Sequence, residues 1–220
     1  MKKFAVILAG CGNLDGAEIH EAVLTLLAID KLGASYSIFA PDVNQHHVID
    51  HYKKKPTEET RNVLTESARI ARGNIQPLLK YDAGEFDALV LPGGYGAAKN
   101  LCSYATDGPD MKVNDEVAYA VMKTRSLNKP IGALCIAPVI LAKLIPNVTL
   151  TIGTDETTEK HVESLGAINI RSTHGDVVVD QKNNVFTTPC YMLDARISQI
   201  AEGAENLIRE IMKKFQNSEV

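Results

Sequence analysis

The chain has 220 residues, 45% of them hydrophobic and 23% charged, enough to bury one sizeable core and too few for several independent domains. A net charge of −4 gives no general pull toward nucleic acid or anionic membrane, and no stretch reaches the ~18 apolar residues of a membrane span. Cys11, Cys102, Cys135 and Cys190 are scattered without a Cys-x-x-Cys pair, which argues against zinc ribbons and thioredoxin-like motifs and makes a reducing cytoplasm the expected setting.

Lys2 and Lys3 precede an apolar run over residues 4–9. That run is too short for the core of a signal peptide and reads as a strand buried on both faces. Residues 10–16 form a glycine-rich loop without GxGxxG spacing or the lysine of a phosphate loop, so no nucleotide cofactor is expected. Residues 15–33 read as a helix with a glycine stop, and residues 36–40 as a second strand reached by a right-handed crossover. The segment 42–56 breaks the alternation. His46, His47 and His51 invite a metal reading, but no Cys partner or HExxH pattern accompanies them, and a polar surface excursion is expected. Residues 57–72 carry a Thr cap and an acidic first turn, the marks of another helix. Its Arg61, Arg69 and Arg72 read as partners for Glu58, Glu59 and Glu66 rather than as a substrate-facing set.

Residues 88–91 form a further strand that ends in Pro92-Gly93-Gly94-Tyr95-Gly96. Glycines there let backbone N–H groups approach a ligand, although a plain tight turn fits as well. Residues 103–113 are a second polar excursion, and 114–128 an amphipathic helix. Lys129-Pro130 then leads into a strand that stops at Cys135. Ala133 and Ala137 keep the bend small on either side, and Pro138 suits the first turn of a helix, the pattern of a nucleophile elbow. The helix N-terminus is expected to favour a thiolate; a buried structural cysteine is the competing reading. Short strands at 148–152, 168–170, 177–179 and 185–187, a helix over 155–165 and a long closing helix complete the chain. Alternating strands and helices predict one α/β domain over 1–220, a three-layer sandwich around a doubly wound, mostly parallel sheet.

In such a sheet, reactive groups gather beyond the carboxyl ends of the strands. Three loops meet there: 10–16, 92–96 and the Cys135 elbow. The N–H groups of Gly94 and Ile136 are candidates to stabilise an oxyanion beside the sulfur. Asp15 with Glu18 three residues on matches a capping box, which gives Glu18 a structural job. Glu21 has none and lies one turn further along the same side. A buried Glu near a thiol has a raised pKa and moves protons. Glu21 is therefore the first choice for acid–base work, with Glu18 close behind; His20, at the neighbouring helical position, points elsewhere.

Leu91-Pro92-Gly93-Gly94, the elbow Ala133-Leu134-Cys135-Ile136-Ala137 and the acidic first helix resemble the PfpI-like superfamily of class I glutamine amidotransferase-like folds. Within it the chain is similar to the ElbB group of isoprenoid biosynthesis proteins. That similarity rests on the segments at residues 15–22, 60–64, 94–101, 135–138, 151–154 and 187–192, which together span nearly the whole chain. The resemblance implies a flavodoxin-like sandwich, often a homodimer, with Cys135 as nucleophile and Glu21 as its acidic partner. It also implies cofactor-independent glyoxalase activity, in which the Cys135 sulfur adds to a small aldehyde such as glyoxal and glycolate is released. Many superfamily members carry a histidine on the strand after the elbow helix. Residues 149–153 here hold none, and His161 and His174 lie off that register. Without that base a glutaminase or protease triad is disfavoured. The alternative is a regulatory protein of isoprenoid metabolism with Cys135 as an oxidisable sensor thiol.

Overall fold

The apolar run at the start of the chain forms β1 (Lys3–Ile7), which lies inside the sheet between its sequence neighbour β2 (Ser35–Ala40) and the distant β6 (Ala88–Leu91). The computed structural model describes residues 1–216. Three further elements lie between β2 and β6. They are a hairpin of β3 (Val48–Asp50) and β4 (Lys55–Thr57), the helix α2 (Val63–Ile70) and the edge strand β5 (Gln76–Pro77). After β6 come α3 (Tyr95–Lys99), α4 (Tyr104–Asp107), α5 (Asp115–Ser126) and β7 (Ile131–Leu134). The chain continues through α6 (Pro138–Leu144), β8 (Thr149–Leu150), α7 (Glu156–Ser164) and β9 (Ile168–Asn169). It closes with β10 (Val178–Asp180), β11 (Val185–Thr188) and α8 (Ile197–Gln216). Between β1 and β2 runs α1 (Ile19–Lys31).

The main sheet has the order β10-β11-β7-β6-β1-β2-β5. Its neighbours pair in parallel except β10 and β11, which form an antiparallel edge. Every residue of β6, β7 and β11 is buried, as expected of strands covered by helices on both faces. The result is a three-layer α/β sandwich. On one side α1 packs along α8, whose Leu207 and Ile211 lie close over Gly132 of β7. A Cβ at Gly132 would come within 3.1 Å of Ile211 and 3.3 Å of Leu207, so both side chains would have to shift.

The chain runs outward from β1 to β2 and β5, then returns to build the other side from β6. The strand order therefore reverses between β1 and β6. In open parallel sheets a crevice for ligands forms at such a switch point.

Four local expectations give way to the structure. The first helix starts at Ile19 rather than at Asp15, because Glu18 caps it, its carboxyl accepting from the Glu21 N–H at 2.7 Å. Asp15 instead accepts from the Ile49 N–H at 2.7 Å and lies 3.7 Å from the His51 ring. Asp15 thus ties the 42–56 excursion to the loop after β1, and that excursion is a hairpin rather than a plain loop. Thr57 belongs to this hairpin and caps nothing; Asn62 caps α2 by accepting from Thr65 N–H at 3.0 Å. Finally, 149–150 pairs with 168–169 in a small separate sheet instead of joining the main one.

Candidate active site

Cys135 follows β7 directly and has φ +60°, a left-handed conformation that a cysteine adopts only under constraint. Its backbone N–H donates to Thr188 O at 3.0 Å, which fixes the elbow to the end of β11. The residue is 7% exposed. Helix α6 begins only at Pro138 and runs seven residues.

The expected thiolate at a helix N-terminus does not emerge. Burial, then the neighbouring Glu21 carboxyl and the Cys190 thiol, push the Cys135 thiol well above its ordinary range, against a backbone hydrogen bond from Gly94. A short helix that starts three residues downstream does not outweigh removal from water.

Glu21 is the third residue of α1 and is wholly buried. Side chains in a helix lean toward its N-terminus, so the carboxyl reaches back beneath the loop that follows β6. One oxygen accepts from the Gly93 N–H at 3.0 Å and the other from the Tyr191 N–H at 3.2 Å. The Cys135 thiol is its close neighbour and favours the charged carboxylate. Burial, reinforced by Glu18, raises its pKa from 4.5 to about 8, although Tyr191, Cys135 and Gly93 all work in the opposite direction. Cys135 and Glu21 are thus a coupled buried pair in which two simultaneous negative charges are strongly disfavoured.

Gly93 explains why the pair fits so closely. A Cβ there would lie 2.6 Å from Cys135 Cβ, 2.7 Å from a Glu21 carboxyl oxygen and 2.9 Å from Leu134 O. Gly94, with φ +95°, faces the opposite neighbour: its Cβ would come within 2.6 Å of Gly16 O and closer still to Glu18 N. The two glycines wedge the loop after β6 between the elbow and the start of α1. The sequence pointed to Gly94; the role of Gly93 follows only from the packing.

Cys135 opens onto a cavity of about 550 Å³. Glu18, Gly94 and Ile136, the other residues singled out from the sequence, line the same cavity. Glu18 serves there as the cap of α1. The far side is built from Tyr104, Ala105 and Gly108 of the 103–113 excursion and from Asp155, Thr158 and His161 around α7. His161 accordingly reaches the cavity wall, where its Nδ1 is 3.0 Å from the Tyr104 hydroxyl. His20 faces an adjoining pocket of about 590 Å³ that also contains His51, and its Nδ1 lies 2.8 Å from the Tyr191 hydroxyl. His174 does not line the Cys135 cavity. In the hairpin excursion, His47 lies 3.2 Å from the Lys99 ammonium and His51 3.0 Å from Ile49 O. Among the described residues no group of three or more His, Cys, Asp and Glu is arranged to hold a metal ion. Arg61 pairs with Glu59, and Arg69 with Glu66 at 2.9 Å, away from the cavity lining.

Cys190 and Tyr191 escaped the sequence reading as site residues. Cys190 has φ +41° and places a second buried thiol near the pair; Tyr191 supplies an N–H to Glu21 and a side chain to the cavity wall. A Pro-Cys-Tyr-Met segment carries no local signal for either role, because both depend on β11 ending beside β7.

No protein-family model matches the chain. It is 44% identical over 221 residues to the mitochondrial glutamine amidotransferase-like class 1 domain-containing protein 3 of Homo sapiens, covering 96% of this chain and 82% of that protein. It is 35% identical to the mitochondrial ES1 protein of Danio rerio, covering 95% and 84% respectively. Among solved structures, an isoprenoid biosynthesis protein with an amidotransferase-like domain from Ehrlichia chaffeensis superposes with a TM-score of 0.90 at 37% identity, covering 96% of this chain and 99% of that one. Both vertebrate relatives are mitochondrial, which overturns the expected cytoplasmic setting. Unpaired cysteines speak to redox environment and do not single out a compartment.

Proposed function

The chain belongs to the family of the glutamine amidotransferase-like class 1 domain-containing and ES1 proteins, and from that premise we propose that it is a cofactor-independent glyoxalase acting through Cys135 and Glu21. The observation that carries this reading is the buried carboxyl of Glu21 meeting the elbow cysteine at Gly93, with a pKa raised to about 8. A base with a pKa near the working pH is well matched to moving a proton to and from carbon.

The chemistry balances on protein side chains and water. The Cys135 sulfur adds to one carbonyl carbon of glyoxal, a C–S bond forms, and the thiol proton passes to the carbonyl oxygen, giving a hemithioacetal. The N–H groups of Gly94 and Ile136 are the proposed donors to the oxygen on which charge develops. Glu21 in its carboxylate form takes the C–H proton from the carbon bearing sulfur. An enediolate forms, and the proton returns to the adjacent carbon to leave a glycolyl thioester. Water then cleaves the C–S bond, releasing glycolate and the thiol. The finer placement in the ElbB group and assembly as a homodimer belong to the same proposal.

Redox sensing by Cys135 is less well supported. Sensor thiols are accessible and have depressed pKa values, whereas Cys135 is 7% exposed and its pKa is raised. A glutaminase lacks a histidine on the strand after α6 to serve as base. The deciding experiment measures glycolate formed from glyoxal by purified protein. Activity that disappears in Cys135→Ser supports the proposal; undiminished turnover in that variant rejects it.

A further inference from the structure

Glyoxal, two carbons and two oxygens, fills little of the space in front of Cys135. A cavity of about 550 Å³ holds on the order of 18 waters at about 30 Å³ each and falls in the size range of sites for whole small molecules. Away from the corner formed by Cys135, Gly94 and Ile136, its lining is largely apolar and aromatic: Ala98, Ala105, Tyr95, Tyr104, Tyr191 and Met192. The two alanines, on α3 and α4, leave width where larger side chains would close it. No lysine or arginine lines the cavity, while the acidic Glu18 and Asp155 do. Asp155 is held below the usual carboxylate range by the Thr158 hydroxyl and N–H, so an anionic group on a substrate meets repulsion. The Tyr104 hydroxyl, bonded to His161, offers a hydrogen bond to a neutral substituent.

Building on the glyoxalase reading, we propose that the site is shaped for an uncharged, aryl-substituted 2-oxoaldehyde, with the dicarbonyl at Cys135 and the ring against Tyr104, Ala105 and Met192. The reaction balances as before. Sulfur adds to the aldehyde carbon, the C–H proton of that carbon moves by way of Glu21 to the former ketone carbon, and water releases an aryl 2-hydroxy acid and the free thiol. No oxidant or reductant is consumed.

The test compares phenylglyoxal, glyoxal and 4-carboxyphenylglyoxal on wild-type protein, each corrected for its addition to free cysteine. The expected kcat/KM for phenylglyoxal exceeds that for glyoxal by about ten-fold or more, and the carboxylated analogue falls below phenylglyoxal by a similar factor of about ten. Ala105 is exposed, so Ala105→Trp is compatible with folding. It should collapse the phenylglyoxal-to-glyoxal ratio; Tyr104→Ala, which removes the ring's partner, should lower it as well. Equal or better use of glyoxal by the wild type, or preference for the anionic analogue, overturns the proposal. If neither aldehyde is turned over, the glyoxalase reading fails by itself, and alkylation of Cys135 by N-phenyl iodoacetamide against iodoacetamide still decides the subsite. A preference for the aryl reagent of about ten-fold that is lost in Ala105→Trp upholds the aryl pocket; equal rates reject it.

Discussion

One wall of the Cys135 cavity is made by the sheet. Cys135 and Gly94 line it at the ends of β7 and β6, and behind them lie Gly93 and the buried carboxyl of Glu21, which reaches back from the first turn of α1. The opposite wall comes from the 103–113 excursion and α7, where Ala105 is exposed and Tyr104 and His161 are only partly covered. The first wall has no room to vary: a single methyl at Gly93 collides with both members of the pair. The second wall is more open, with Ala105 exposed to solvent. The strand ends thus hold the Cys135–Glu21 pair in place, while the far side of the cavity is closed by an excursion anchored in the core through Met111. That division is common where a rigid scaffold carries loops at a switch point.

Substitutions on the two walls should separate these roles. The largest effect is expected for Glu21→Gln, which removes the proton carrier and should cut glycolate formation by about 100-fold or more. The thiol should remain open to alkylation, with its pH profile moved downward, since Glu21 is one of the groups that hold the Cys135 pKa up. An unchanged profile would show that the two groups are not coupled. Next is Gly93→Ala. The methyl would press on Leu134 O as well as on the pair, and a cost of roughly 1–3 kcal/mol is expected from overpacking, readable as a lower midpoint in urea. A neutral result would mean that the loop after β6 shifts freely.

A subtler effect is stability against pH. The Glu21 carboxyl has a folded pKa of about 8 against 4.5 for an ordinary glutamate. Between those values the folded protein binds the proton that the unfolded chain releases, so its stabilising contribution is full below about pH 4.5 and is lost as pH rises through 8. Thermal unfolding of wild type should show this decline, and Glu21→Gln should flatten it. The smallest effect is expected for Glu18→Gln, which weakens the cap of α1. It should cost about 1 kcal/mol and reduce turnover far less than Glu21→Gln. If the two variants exchange these effects, the proton carrier is Glu18.

Much of the first wall was legible from sequence because local chemistry writes it. A strand, a small-residue bend and Pro138 mark the elbow; strand-ending glycines mark the loop after β6; and an acid without a structural job marks Glu21. The signal was incomplete where contacts are distant. Asp15 read as a cap but bonds the hairpin at Ile49, a partner 34 residues away. The thiol was expected to ionise on account of the helix, yet burial, which no local pattern encodes, dominates its pKa. The second wall was nearly invisible: His161 lay off the expected register, and Tyr104 sat in a segment read as a polar excursion. Both become site residues only because that excursion folds against α7 across the cavity from the elbow.

The proposed mechanism requires Cys135 to form the bond to substrate while Glu21 moves the proton. Intact-protein mass spectrometry of Glu21→Gln mixed with glyoxal tests both at once. Addition without proton transfer should leave a glyoxal adduct that accumulates on Cys135, is absent from Cys135→Ser, and does not persist in wild type, which turns it over. Glycolate production by Glu21→Gln at the wild-type rate, or an adduct that appears equally in Cys135→Ser, would contradict it.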